Sequence, residues 1–346
     1  MGSGPLADYS ERGSLFCYFC DSVIFVRGGK NLKKNASAAG EIKVSRGRLI
    51  KRDLRNNWSI YIMALFPLAY FIIFNYIPMG GILMAFQDFS IKKGLWGSQW
   101  VGMDQFIRYF TGPNFWRTFR NTLLISIYGL AFSFPFPIIF ALCLNEVRNK
   151  KFKKVTQTIS YLPYFISVVV VVSILNDFCK ANGVLTQLAA AFGDTGGALI
   201  SRPEWFRTLF IGSNMWQHLG YNAIIFISAL AAIDPELYEA AVIDGAGRWK
   251  QTLYITLPGI ASTIVVLLIL RLGQIMNVGY EKIILMYGPT TYDTGDVISS
   301  YVYRVGIIES NYSYSTAINL FNSVVNFIIL FLGNTISRKI SDTSLW

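Results

Sequence analysis

Six stretches of this chain contain no Asp, Glu, Lys or Arg: Asn56–Gln87, Asn121–Asn145, Val155–Asn176, Thr208–Ile233, Gln251–Leu270 and Ser310–Ser337. Each reaches the length of roughly 20 residues that a helix needs to cross the hydrocarbon core of a bilayer. A soluble helix of that length would carry charge on its solvent face, and these carry none. Only 15% of the residues are charged, against about a quarter in a soluble domain. The pattern predicts an all-α integral membrane protein with six transmembrane helices in a lipid bilayer.

The net charge is +11, and its placement decides what it means. If the loops alternate sides, the side of the N-terminus collects 20 of the 31 Lys and Arg. They come from residues 1–57, from RNKKFKK at Arg148–Lys154, from Arg248 and Lys250, and from Arg338 and Lys339. Positive residues mark the cytoplasmic side, so both termini are expected in the cytoplasm. The basic balance is a topology signal, not a nucleic-acid footprint.

Metal and catalytic chemistry find little support. Cys17 and Cys20 form one CxxC without a second ligand pair, and the only histidine, His218, lies inside a span. Cys143 and Cys179 read as packing residues. No cluster of His, Asp, Glu or Cys offers a metal site or an acid and base, so no catalytic residue is assigned.

Residues 1–50 read as a disordered cytoplasmic tail: GGKNLKKNASAAGEIKVSRGR is polar and aperiodic. The apolar SLFCYFCDSVIFV before it lacks the basic start and cleavage site of a signal peptide. Residues 51–340 read as one membrane domain. Its first span starts near the interfacial anchor Trp58 and carries Pro67 and Pro78. DQFIRYFTGPNFWRTF reads as one amphipathic interfacial helix, and Pro135 and Pro137 are expected to kink the second span. The third, fourth, fifth and sixth spans are expected around Ser160–Asn176, Phe210–Ala232, Gly259–Tyr280 and Tyr314–Ser337.

The loop 234–258 is more ordered than a connection requires. Asp234 followed by Pro235 signals a helix start, and Glu236 and Glu239 suit its first turns. A helix of about three turns is expected, ended by Gly245 or Gly247. Ala240 and Ala241 leave little bulk, so another backbone could approach. Capping of a plain interfacial loop would account for most of these features; a docking handle would account for all of them.

The sequence EAAVIDGAGRWKQTLYITLP carries a further pattern that shifts the balance towards the second. Its Glu239, Ala240, Ala241, Gly245, Ile255, Leu257 and Pro258 match every position of a loop motif, EAA, three residues, Gly, nine residues, Ile, one residue, Leu-Pro. This resembles the cytoplasmic loop of permease subunits in binding-protein-dependent ABC importers. KRDLRNNWSIYIM, LFPLAYFIIFNYIPMGGILMAFQDF, YLPYFIS and LRLGQIMNVGYEKIILMY are similar to the carbohydrate-uptake (MalF/MalG-like) family, within it the LplB-like polysaccharide permeases. The resemblance implies a type I ABC importer permease fold. It implies that the helix Pro235–Asp244 is a coupling helix seated in a cytoplasmic ATPase, with Glu239 making polar contacts there and Gly245 forming the turn. The implied partners are a second permease subunit, most simply in a heterodimer, two ATP-binding subunits, an extracytoplasmic solute-binding protein and a glycan substrate. The implied site is the cytoplasmic membrane of a bacterium or archaeon. The chain has no GxxxxGK[ST] phosphate loop, so it holds no cofactor of its own, and ATP belongs to the partner subunits.

Polar residues inside spans mark a candidate solute path. They are Asn214, Gln217, Tyr221 and Asn222 in the fourth span, Gln274, Asn277 and Tyr280 in the fifth, and Asn319, Asn322 and Asn326 in the sixth. Each set recurs at helical spacing. Amides and phenols suit an uncharged glycan, but such amides also bond helix to helix. Arg271 is the odd residue; it could pair with Glu281 or hold an anionic sugar. An ion-coupled secondary carrier is the alternative. That class more often shows inverted repeats, unwound helices near the midplane and buried carboxylates, and no Asp or Glu lies in the middle of a span here.

Overall fold

The computed structural model describes residues 55–194 and 196–340. The readings for the tail 1–50, for Cys17 and Cys20, and for Lys51 and Arg52 lie outside them. The chain divides into two compact units, residues 1–75 and 76–346. The described part of the first carries helix α1 (Trp58–Phe71).

The second unit is helical apart from a two-residue antiparallel pair, Gln87–Asp88 with Gln99–Trp100. Its main helices are α2 (Asp104–Thr111), α3 (Asn114–Ser133), α4 (Pro135–Glu146), α5 (Lys150–Tyr161), α6 (Val168–Cys179), α7 (Val184–Ala191) and α8 (Pro203–Ala231). There follow α9 (Pro235–Ile243), α10 (Arg248–Gln251), α11 (Leu257–Leu272), α12 (Tyr280–Met286), α13 (Ile298–Tyr303) and α14 (Tyr312–Ile340). By length and composition four helical runs could cross a membrane: Trp58–Phe86, Asn114–Glu146, Arg248–Leu272 and Tyr312–Lys339. A bent pair, Lys150–Phe165 with Val168–Cys179, would make five. Although α8 is 29 residues long, Asn214, Gln217, His218 and Asn222 leave it too polar to join them. It packs instead against α3, α4, α5 and α11, with Gln217, Gly220, Ala223, Phe226 and Leu230 buried.

The prolines act as breaks and wide turns. Pro67 sits inside α1 without ending it. A π-turn at Ile72–Tyr76 precedes Pro78, and another at Thr252–Thr256 precedes Pro258. A proline lacks an N–H and crowds the carbonyl four residues back, and the wider π-turn makes room for that carbonyl. At Pro135 the α-helix restarts: α3 ends at Ser133 and α4 begins at Pro135.

Three expectations need correction. DQFIRYFTGPNFWRTF is two helices, because Gly112 is extended ahead of Pro113, as residues before proline prefer; α2 buries Phe106 and Tyr109. The third apolar stretch is not straight. It bends by 99° between residues 165 and 168, after the short 3-10 turn Leu162–Phe165 with its Pro163. Ile166 is extended there, and the Val170 amide donates to Ser167 Oγ to start α6. The fifth helix stops at Leu272, eight residues before the expected end, and 273–279 is a chain of turns.

That elbow is held against α8. Gln217 Nε2 donates to the Ile166 carbonyl at 3.0 Å, and the rings of Tyr164 and Tyr221 stack with centroids 3.7 Å apart. Gly220 lets the two backbones meet, since a Cβ there would lie 2.3 Å from the Ser160 carbonyl oxygen. Gly220→Leu is expected to separate α5 from α8 and cost about 1–3 kcal/mol, as overpacking does. The measurement is the thermal unfolding midpoint in detergent; an unchanged midpoint would show that the contact is soft.

At the end of the bundle remote from α9, the Asp296 carboxylate is completely buried. It pairs with Arg304 at 2.8 Å and Arg117 at 3.1 Å, and Ser300 Oγ donates to it at 3.0 Å. Asn121 Nδ2 donates to the Asp293 and Asp296 carbonyls, while its Oδ1 accepts from Arg207 at 2.9 Å. Together these groups tie the start of α3 to the start of α8 and to the segment before α13.

Candidate functional site

Two regions carry chemistry: the loop 234–258 and a cavity inside the bundle. In the loop, Asp234 Oδ1 accepts from the Glu236 amide at 3.0 Å, and Pro235 takes the first helical position. The helix α9 ends after two and a half turns. Gly245 has φ +73°, its amide donates to the Val242 carbonyl, and the Ala246 amide donates to the Ala241 carbonyl at 2.8 Å. This pair of bonds is a Schellman cap, which needs the left-handed residue that glycine supplies. Gly247 has φ −70° and leads into α10, so Gly245 is the stop and Gly247 is not.

The loop is tied twice within itself and once to a neighbouring helix. Tyr238 Oη and Thr256 Oγ1 lie 3.0 Å apart, Gln251 Nε2 donates to the Ala246 carbonyl, and Arg248 pairs with Glu146 at the end of α4 at 3.2 Å. No residue of α9 is buried within this chain. Glu239, Ala240, Asp244, Gly245 and Pro258 are exposed, while Ala241, Ile255 and Leu257 are half-buried. Large apolar side chains stand beside them in solvent: Leu237, Val242, Ile243, Trp249 and Tyr254, with Ile243 86% and Trp249 88% exposed. A braced, capped helix with an uncovered apolar face has the form of a handle.

The cavity measures about 590 Å³ and lies between α3, α8 and the turns after α11. Asn214, Gln217, Asn222, Gln274, Asn277 and Tyr280 line it, together with His218 and Arg271. Tyr221 lies instead against the elbow. On α14, Asn319 is exposed, and Asn322 and Asn326 are buried. These two both donate to Asn277 Oδ1, at 3.2 and 3.1 Å, and the Met276 amide donates to Asn326 Oδ1 at 2.9 Å. They hold the cavity wall rather than face the cavity.

That wall is the unwound segment 273–279. Outside a helix its backbone groups need other partners, and non-helical backbone at membrane depth is found where it lines a cavity. Asn326 satisfies one amide, Ser126 Oγ on α3 donates to the Ile275 carbonyl, and Ser299 Oγ on α13 donates to the Val278 carbonyl. Sequence reasoning missed Ser126 and Ser299, which show no periodicity, and Lys282, which falls between the expected fifth and sixth spans. Lys282 is 4% exposed, lines the cavity and donates to Asn214 Oδ1 at 3.0 Å. It lies beyond α11 in α12, and burial pushes its ammonium down to about 8. Among the described residues no three His, Cys, Asp or Glu side chains gather as a metal site.

Membrane-length helices, a polar cavity and an uncovered handle define a solute-transport subunit. Comparison with known proteins gives the family: residues 133–342 match the model of the binding-protein-dependent transport system inner membrane component. The chain belongs to this family; it is a permease subunit of an ABC importer and not an enzyme, and ATP hydrolysis in such importers resides on separate subunits. It is 43% identical to protein LplB of Bacillus subtilis over 84% of this chain and 92% of that protein. It is 40% identical to the polygalacturonan/rhamnogalacturonan transport system permease protein YteP of the same species, over 88% of this chain and 95% of that one. A solved chain from a bacterial ABC transporter involved in the import of the acidic polysaccharide alginate matches with a TM-score of 0.78 and 43% identity, covering 85% of this chain and 99% of that chain. Unwound backbone near the cavity, expected of ion-coupled carriers, therefore occurs here in an ABC permease.

Proposed function

We propose that this chain forms one half of the membrane path of a glycan importer and converts motion of a separate ATPase into opening and closing of that path. The observation that carries the reading is the loop: a helix capped at both ends, tied to Thr256 ahead of α11, in a loop that Arg248 pins to the end of α4, with its apolar side uncovered. A free connection gains nothing from such order, whereas a hinge-like transporter needs a firm point of attachment.

In this reading α9 is the coupling helix and seats in a groove of the ATPase. Glu239 makes polar contacts there, Ala240 and Ala241 permit the close fit, and Asp244 with Gly245 forms the turn. Ile255, Leu257 and Pro258 lead the chain into α11. The membrane domain comprises residues 51–340 with six spans. The bent pair α5–α6 and the polar α8 complete the number, and both termini lie on the cytoplasmic side with α9. The host membrane is the cytoplasmic membrane of a bacterium or archaeon. A second permease supplies the other half of the path in a heterodimer, two ATP-binding subunits hold the ATP, and an extracytoplasmic solute-binding protein delivers the cargo. The substrate is a polysaccharide fragment. Its class is supported by relatives named for polygalacturonan, rhamnogalacturonan and alginate, and by the amides and phenol of Asn214, Asn222, Gln274, Asn277 and Tyr280 around one cavity.

The test is purification of the tagged chain in gentle detergent from its native membrane, with mass spectrometry of the companions. The expected companions are a second permease and an ATPase bearing a phosphate loop. A stable preparation with no ATPase, together with uptake abolished by a protonophore at constant ATP, would return the loop to a connection and the chain to ion-coupled transport.

A further inference from the structure

The cavity holds two cations and one carboxylate. Lys282 and Arg271 line it with Glu281, and among the described residues neither cation forms an ion pair. The contrast with Arg117 and Arg304, both paired with Asp296, is informative. Lys282 is the more buried, yet it answers only to the neutral Asn214 amide at 3.0 Å and to the Phe210 ring, 5.7 Å from its Nζ. An ammonium has three N–H donors, so others remain for a ligand. Taking a charge out of water without an opposite charge is costly, and chains normally avoid it by pairing. An unpaired buried cation on a cavity wall is the usual mark of a site whose counter-charge arrives with the solute. His218 supplies no counter-charge, because an imidazole is neutral or cationic; its Nδ1 faces the Asn214 carbonyl at 3.0 Å.

We infer that Lys282 is a specificity-determining residue that binds a carboxylate of an anionic, uronate-bearing glycan as it passes through the cavity, with Arg271 as the second cation. The inference rests on the permease reading above and adds the charge class of its cargo. Asn214 positions the ammonium, and Glu281 disfavours a second carboxylate close by. A merely structural Lys282 would join α12 to α8 through Asn214 and would not distinguish acidic from neutral cargo.

The test uses the complete importer reconstituted in proteoliposomes with its binding protein at saturation. The probes are trigalacturonate and the same trisaccharide with its carboxyls reduced to alcohols. The wild type is expected to take up the acidic probe in preference to the neutral one. Lys282→Met is expected to lower acidic uptake by roughly 10–100-fold, the worth of a charge-assisted bond, while uptake of the neutral probe changes little. Lys282→Arg is expected to restore the preference, and the unfolding midpoint of each variant reports folding. A Lys282→Met complex that folds and keeps the wild-type ratio would overturn the inference, and so would a wild type that prefers the neutral probe; both leave the permease reading standing. Loss of ATP-dependent uptake of both probes in the wild type would count against both readings at once.

Discussion

Gly245→Trp is expected to leave the chain in the membrane at its normal amount and to reduce uptake to background. The turn at Gly245 is left-handed, with φ +73°, and a side chain there costs about 1–3 kcal/mol in strain. A Cβ at this position meets nothing within 4 Å, so a side chain can leave the backbone here without an immediate clash. An effect larger than that strain is the result expected of a partner seated on α9. Blocking the centre of an interface costs about 2 kcal/mol or more, which is roughly a 30-fold loss of bound ATPase. Strain and bulk are separable. Gly245→Asn accepts the left-handed turn and is expected to retain most of the uptake, whereas Gly245→Trp keeps none. The measurement is ATP-dependent uptake normalised to membrane-inserted protein, with the amount of co-purified ATPase. Normal uptake by an inserted Gly245→Trp protein would remove α9 from the coupling path.

Asp296→Leu is expected to give the largest loss of stability. The carboxylate is fully buried and pairs with two guanidiniums at 2.8 and 3.1 Å, while Ser300 fills a further acceptor position. Leu would strand both arginines in a largely desolvated place, and breaking a buried pair from one side costs about 3–5 kcal/mol. Asp296→Asn keeps the shape and some of the bonds, so its loss should be smaller. Thermal unfolding of the detergent-solubilised protein reads both, and an Asp296→Leu midpoint equal to the wild type would mean that α3 and α8 are held apart from this cluster. The effect should remain at high salt, since buried charges are screened far less than exposed ones.

The helical membrane character was legible because a helix of about 20 residues without a charge is long enough to cross a bilayer and has no face to offer to water. The ends of α9 were legible for a different reason. Asp234 and Pro235 act through the backbone a few residues away, and Gly245 through its own φ, so their effect does not depend on the remainder of the fold. The direction of a span is another matter. Val155–Asn176 has the length and apolarity of a single crossing, and only the extended Ile166 and the cap at Ser167 turn it through 99°. Helical spacing located polar faces on α8 and α14 but could not say what each face meets. On α8, Asn214 and Asn222 meet a cavity, and on α14, Asn322 and Asn326 meet the backbone and side chain of 276–277. The periodic reading of Gln274, Asn277 and Tyr280 assumed a helix that ends at Leu272. Their shared cavity comes from turns and not from a helical face.

The wall 273–279 also has a mechanical meaning. α11 is an unbroken run of 16 residues, a rod about 24 Å long at 1.5 Å per residue, with the loop at one end and the wall at the other. No helix continues beyond Leu272 to carry a thrust onward into α12. The wall is pinned instead by side chains from three directions, Ser126 on α3, Ser299 on α13 and Asn326 on α14. In the proposed coupling, a displacement entering at the loop would reach, at the far end of α11, a part of the lining whose shape is set by tethers and not by a helical backbone. The contour of the chamber is thereby tied to where α3, α13 and α14 stand.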